Sequence, residues 1–296
     1  MTPSEPPAVE VRIAGDLLLQ RHAAVLVTDF DAPMLVEIRD RILTRPAGQR
    51  WCLRTINNRM SRIRSIFDWG VQRGIVDRSV LVGLQAVSPL RAGIAQALVH
   101  APVKEAPLEH VRPVLEHLEA RGGPSIQVAC VLRFMLMTGC RCAEARKARI
   151  GDLDRDARTL TVHEHKTARK TGEPLIFHLT DEVLAVIDRA ILARGAGNDP
   201  KAPLFSSTRG PFSRSAVTQA VSRACERAGV PHWSPHRLRH TATNLVRKNA
   251  GDAVAKATGG WDDPRMLHRY GREDEGRQRR EGQVVLARTV SEVLSA

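Results

Sequence analysis

Aromatic residues are scarce in this chain. They make up 4% of its 296 residues, and a single tyrosine, Tyr270, is among them. A lone phenol reads either as a packing residue with a polar tip or as a nucleophile, since tyrosine oxygen forms covalent intermediates. No apolar run approaches the about 20 residues of a membrane span. The opening "MTPSEPPAVEV" has no basic n-region followed by an apolar h-region, so no secretory signal is expected. Cysteines are few and odd in number: Cys52, Cys130, Cys140, Cys142 and Cys225. Cys140 and Cys142 stand too close for a C-x-x-C knuckle or redox pair, and reduced thiols in a cytosolic setting are the expectation. Internal repeats and low-complexity tracts are also missing. The remainder, 43% hydrophobic and 26% charged, is an ordinary soluble balance for about two domains.

What the chain has in excess is positive charge. Forty-five Lys and Arg against 32 Asp and Glu leave a net +13, most of it carried by arginine. A guanidinium fork matches two phosphate oxygens at once, where lysine acts as a point charge. A basic, arginine-rich chain points to nucleic acid, double-stranded DNA in this reading. A basic surface inherited from a GC-rich, arginine-coding genome is the alternative on composition alone.

Residues 88–107 hold Pro89, Pro102 and Pro107 with little periodicity and read as a linker. The expected domains are 1–100, helical, and 101–296. Within the first, Ile56, Met60, Ile63, Phe67 and Val71 recur at helical spacing over residues 55–74, and Gly74 fits a stop. Asn58, Arg59, Arg62 and Ser65 lie mostly off that stripe. One basic helix face is usually just solvated. Nine arginines between Arg39 and Arg73 tip the reading toward contact with a DNA backbone, with Arg59 and Arg62 as candidates.

In the second half, residues 107–121 and 125–139 read as helices, the latter apolar enough to be buried and ended by Gly139. Residues 159–179 change period: Leu160 and Val162 alternate with polar neighbours, and Leu175 to Phe177 form a second short run. That is a β-hairpin with the basic tip "KTARKTG". Residues 213–229 read as a helix capped by Ser213, and Ser213 and Arg214 at its start are candidate DNA contacts. Ser234 and Pro235 open a further helix. The polar stretch "GREDEGRQRREG" sets apart a tail helix with Leu286, Val290, Val293 and Leu294 on one face. That face fits docking on its own domain or on a neighbouring protomer. The fold class is mainly α with a small β-sheet, α+β.

Four stretches carry residues suited to one reaction. "TGCRCAE" would project Arg141 from a turn where a helix breaks and restarts, with Glu144 one turn on to orient nearby groups. Lys166 sits at the hairpin tip. "HRLR" puts His236 and Arg239 on one helix face. "GGWDDPRMLHRY" holds Trp261 and Tyr270. Taken singly, the tip lysine reads as solvated, and Arg141 reads as readily as a surface arginine as a functional one. His232, His236 and His240 are spaced by four, but Pro231 and Pro235 oppose a helix through His232 and no ligand-spaced partner is near, so no metal site is expected.

In this order and spacing the four stretches resemble the tyrosine recombinases, the phage-integrase family. The resemblance covers about residues 107–272 and extends more weakly to the helical half, which looks like the family's SAM-like core-binding domain. Arg141, Lys166, His236, Arg239, Trp261 and Tyr270 match the six catalytic positions. Most members have histidine where this chain has Trp261; a minority, the Cre-like branch among them, have tryptophan. An indole N–H donates one hydrogen bond and cannot titrate near neutral pH, so phosphate binding and packing remain for it. Lys170, four residues on from Lys166, competes for the lysine role.

The resemblance implies a site-specific recombinase or integrase, of a mobile element, working through a 3′-phosphotyrosine and a Holliday junction without ATP, cofactor or metal. It implies a monomer alone, a homotetramer on paired DNA sites, accessory DNA-bending proteins, and a bacterial cytoplasmic, nucleoid-associated setting. Too little chain precedes residue 15 for an arm-binding domain, so core-site binding alone is expected. A type IB topoisomerase shares the chemistry, and a catalytically silent DNA-binding regulator would share the charge.

Overall fold

The computed structural model describes residues 8–46, 49–93, 105–165, 172–195, 199–207, 210–213, 215–259 and 272–295. Contacts divide the chain into two compact units, Met1–Pro102 and Val103–Ala296.

The first unit is built from α1 (Ala8–His22), α2 (Ala32–Leu43), α3 (Leu53–Gln72) and α4 (Arg78–Gln85). Asp31 caps α2 by accepting the Met34 N–H at 3.0 Å, and Asp77 caps α4 through Ser79 N at 2.8 Å. The α3 stripe is as expected: Ile56, Met60, Ile63 and Phe67 are buried and Val71 packs at the margin. They meet Leu35, Ile38 and Ile42 of α2 and Leu81 and Leu84 of α4, and the Phe67 ring stacks on Phe30 at 4.9 Å. Each such side chain contributes about 1.5–3 kcal/mol by leaving water. Gly74, at φ +68, follows the helix end.

The second unit contains α5 (Leu108–Arg121), α6 (Pro124–Thr138), α7 (Cys142–Lys147), a 3₁₀ turn (Ile150–Asp152), β1 (Leu153–Asp154), β2 (Thr159–Val162), β3 (Leu175–His178), α8 (Asp181–Arg194), β4 (Ser206–Ser207), β5 (Gly210–Pro211), α9 (Ala216–Arg227), α10 (Pro235–Gly259) and α11 (Arg272–Ser295). Helix α6 is the centre of the core. Nearly every side chain from Gln127 to Thr138 is buried, which is why its sequence shows no polar face. The sheet is antiparallel in the order β1-β2-β3, with Leu160 opposite Phe177 and Val162 opposite Leu175. Leu160, Val162 and Phe177 turn inward, and Phe177 meets Phe134 of α6 edge-on at 6.1 Å.

Three expectations need correction. The hairpin gains a third strand, β1, because the turn after α7 runs back along β2. Helix α9 starts at Ala216, with Ser215 rather than Ser213 in the cap position, while Ser213 Oγ accepts the Ala216 N–H at 3.2 Å. The polar stretch before the tail is itself helical, so α11 runs unbroken from Arg272 to Ser295.

That tail helix packs on its own unit. Leu286 and Val290 are buried in the core, Arg112 of α5 donates to the Val293 carbonyl, and Gln283 accepts the His178 N–H at 2.8 Å. Gly282 lets α11 lie against α10. A Cβ there would overlap Thr258 Oγ1 and come within 2.8 Å of Val254 Cγ1. Among the described residues no helix is long and apolar enough to cross a membrane.

Candidate active site

The site begins where α6 stops. Gly139 adopts the left-handed conformation at φ 67, and its N–H bonds back to the Met135 carbonyl at 2.9 Å. The chain turns through Cys140 and restarts at Arg141, the N-cap of α7. The Arg141 backbone N–H and its guanidinium both donate to Glu144, each at 2.7 Å. Glu144 is 1% exposed and Arg141 25%, so a buried carboxylate steers a partly exposed cation.

Arg239 arrives from α10. It is 5% exposed, and its Nη1 donates to the Gly139 carbonyl at 2.9 Å. Burial pulls its pKa below the ordinary arginine value, the neighbouring Arg141 charge pulls the same way, and Glu144 opposes both. A guanidinium does not lose its proton in a protein, so the shift records a desolvated cation rather than a neutral one. Among the described residues, two guanidiniums, one buried and one half-buried, therefore share one corner with one buried carboxylate. The surplus positive charge in low dielectric favours an anion there. Burial, and next the Glu144 charge, raise the Cys140 thiol pKa, so Cys140 stays protonated beside them.

His236 lies one turn before Arg239 on α10, with an exposed ring edge-on to His240 at 5.3 Å. His232 precedes the helix and is exposed. Ser213 is exposed, and the preceding Phe212 carbonyl accepts from Arg146 of α7 at 2.5 Å, which ties the Ser213 loop to the Arg141 helix. Lys166, Lys170, Arg214, Trp261 and Tyr270 lie outside the described residues. The structure thus brings together Arg141, Glu144 and Arg239, with His236 on the same helix as Arg239.

In the first unit Arg62 is half-buried on α3. Arg59 is 12% exposed, pairs with Glu10 and lies over the Trp51 ring at 5.6 Å, so any contact it makes to another molecule competes with that pair. Arg64 turns inward, donating to the Leu84 and Val87 carbonyls at 3.0 and 2.6 Å. It serves the end of α4, where a cation is favoured, and this accounts for one member of the arginine cluster by structure rather than by recognition. The sequence reading missed the Gly139 carbonyl as the anchor of Arg239, since a backbone acceptor leaves no mark on residue type.

The model of the phage integrase family matches residues 108–277. Tyrosine recombinase XerD of Mycobacterium leprae (strain TN) is 28% identical over 208 residues, covering 66% of this chain and 61% of that protein. The match therefore spans under two thirds of that relative's length. An integrase of the Tn1549 transposon, solved in complex with circular intermediate DNA, superposes with a TM-score of 0.66 at 17% identity, covering 93% of this chain and 94% of that one. A lambda integrase dimer bound to a COC′ core site superposes with a TM-score of 0.65 at 13% identity, covering 94% and 90%. At these identities the two structures speak for the fold.

Proposed function

The chain belongs to the phage integrase family, and from that premise we propose that it is a site-specific tyrosine recombinase that cuts and rejoins double-stranded DNA. The observation that carries the reading is the convergence of Arg141 and Arg239 at the end of α6, around Glu144. A phosphodiester is anionic and gains charge on the attacked phosphorus oxygens, and two guanidiniums are suited to neutralise its non-bridging oxygens.

In this proposal the Tyr270 phenol attacks phosphorus. The new O–P bond replaces the bond to the 5′ oxygen, leaving a 3′-phosphotyrosine and a 5′-hydroxyl. His236 accepts the phenol proton, since imidazole titrates near neutral pH. Lys166, or Lys170 on the same tip, gives a proton to the leaving oxygen. Trp261, at the position where most of the family has histidine, donates its indole N–H to the phosphate and shields the intermediate from water. The covalent link keeps the bond energy, so rejoining needs no ATP.

The proposal extends to the whole molecule. Residues 1–100 act as the core-binding domain, with Arg59 and Arg62 toward DNA, and 101–296 as the catalytic domain, with Ser213 and Arg214 at the backbone. The protein is a monomer alone and a homotetramer on paired sites, exchanging strands through a Holliday junction. It serves a mobile element in a bacterial cytoplasm, at the nucleoid, with accessory bending proteins.

The test uses purified protein and labelled fragments from the flanks of its gene, some nicked so that cleavage cannot reverse. A protein–DNA band that survives denaturing detergent, and is lost in Tyr270→Phe, is the expected result. A band that persists in Tyr270→Phe removes Tyr270 from the mechanism. Retention in native gels without any covalent band would make the protein a silent DNA-binding regulator. Relaxation of supercoiled plasmid regardless of sequence would place it with the type IB topoisomerases.

A further inference from the structure

A second cationic cleft lies in the catalytic unit, built by elements distant in sequence. It has a volume of about 490 Å³ and is lined by Arg146, Lys147, Arg149 and Lys201, with His163 at the end of β2. The carboxylates of Asp152 and Glu164 also line it, so four cations against two anions leave a net +2 with histidine neutral. Both carboxylates have partners. Glu164 accepts from Lys147 at 2.8 Å, and Asp152 accepts the Arg149 backbone N–H at 3.0 Å. The Glu164 charge is felt by Arg149 as well as by Lys147, and Arg146 spends one N–H on the Phe212 carbonyl, so the cleft keeps its net positive charge.

Two of the segments that line the cleft are fixed to one another by backbone bonds. Ile150 N donates to the Ala202 carbonyl at 3.0 Å, Gly151 N to the Pro200 carbonyl at 2.8 Å and Leu204 N to the Ala148 carbonyl at 2.7 Å. Gly151 permits this approach, because a Cβ there would sit 2.9 Å from Pro200. The 199–204 segment is thereby clamped to the turn after α7, and Lys201 is held beside Arg149 across a gap of fifty-two residues. No recognition motif of the sequence includes these residues.

We propose that this cleft seats a phosphodiester of the DNA backbone, away from the Arg141–Arg239 pair, and so fixes the register of the catalytic unit on the duplex. The proposal rests on the recombinase reading for its partner but not for its site. Lys147, Arg149, Lys201 and His163 are exposed, which suits a strand running across an open rim. Among the described residues no Phe, Tyr or Trp lines the cleft to stack a base, which argues against a free nucleotide. Arginine and lysine contacts to phosphate position a protein without reading sequence.

The experiment measures binding of the full chain to a labelled random-sequence duplex over a salt series, for wild type, Arg149→Gln/Lys201→Gln and the control Arg121→Gln. Each lost phosphate contact lowers the slope of log K against log salt by about 0.9. The expected result is a slope shallower by about 1–2 in the double variant and unchanged in the control. An unchanged slope in the double variant, or an equal loss in Arg121→Gln, overturns the proposal. Calorimetry with inorganic phosphate separates the sources: phosphate binding lost in the double variant with an unaltered DNA slope would make this a site for a free anion and also overturns it. Matching thermal melts show that the variants fold. The covalent band through Tyr270 is independent of these slopes, so either reading can fall while the other stands.

Discussion

Arg239 donates through Nη1 to the carbonyl of Gly139 at 2.9 Å, closing a hundred residues of chain with one charged bond. The acceptor is available because Gly139 turns α6 off in the left-handed conformation, and the donor is presented because α10 passes the end of that helix. Arg141, two residues past the same glycine, is then fixed by Glu144. The geometry of the corner is thus set mainly by backbone and by one buried carboxylate.

If the guanidinium fork of Arg239 is what holds the reacting phosphate, lysine will not replace it, since a point charge cannot keep the Gly139 bond and two phosphate oxygens together. Arg239→Lys should lower single-turnover cleavage of a nicked substrate by about 10²–10³-fold. Native-gel retention of the same DNA should change little. The comparison of the two assays on one preparation checks it.

Glu144 answers to stability as well as to chemistry. Glu144→Ala would leave the Arg141 N–H without its acceptor and remove the only carboxylate found between the two guanidiniums among the described residues. A loss of about 3 kcal/mol in urea unfolding is expected. Glu144→Gln, which keeps an acceptor, should lose less.

At the tail, Gly282→Ala forces a methyl group into Thr258 and Val254. Overpacking of this kind costs about 1–3 kcal/mol. Because Gly282 sits where α11 crosses α10, protease should cut the variant first in α11. Pairing it with Thr258→Ala should recover part of the loss, as thermal melts of the two variants would show.

His178 ties acidity to tail docking. Its pKa is lowered first by burial and then by Arg280 and Arg279 of α11. The folded state therefore prefers the neutral ring, while the unfolded chain takes up its proton near pH 6.5. Below that pH the unfolded state binds more protons, so stability falls as pH drops and levels off once the folded ring is protonated too. Melting temperatures between pH 8 and pH 5 should decline for the wild type and decline less for His178→Gln.

Much of this was legible in residue order. The α3 stripe and the β2–β3 pairing obey simple periods, and both are present. Gly139, Arg141 and Glu144 form the expected break and restart. The polar first half of α11 was misread because glycine and a missing apolar stripe suggested a spacer, although Arg, Glu and Gln favour helix. The reason for Gly282 is a contact with Thr258, which no local pattern reports. Arg64 looked like the other arginines of α3, and only the position of the carbonyls at the end of α4 shows that it faces inward. The Lys201–Arg149 juxtaposition depends on backbone pairing between loops, which side-chain types do not encode.

The buried guanidinium of Arg239 has one more consequence. The folded state holds that cation out of water at a cost of several kcal/mol, which the Gly139 carbonyl and the Glu144 charge offset only in part. Thermal endurance and anion affinity thus pull position 239 in opposite directions. A survey that ranked variants by melting point alone would reward the loss of the one cation most deeply committed to the site.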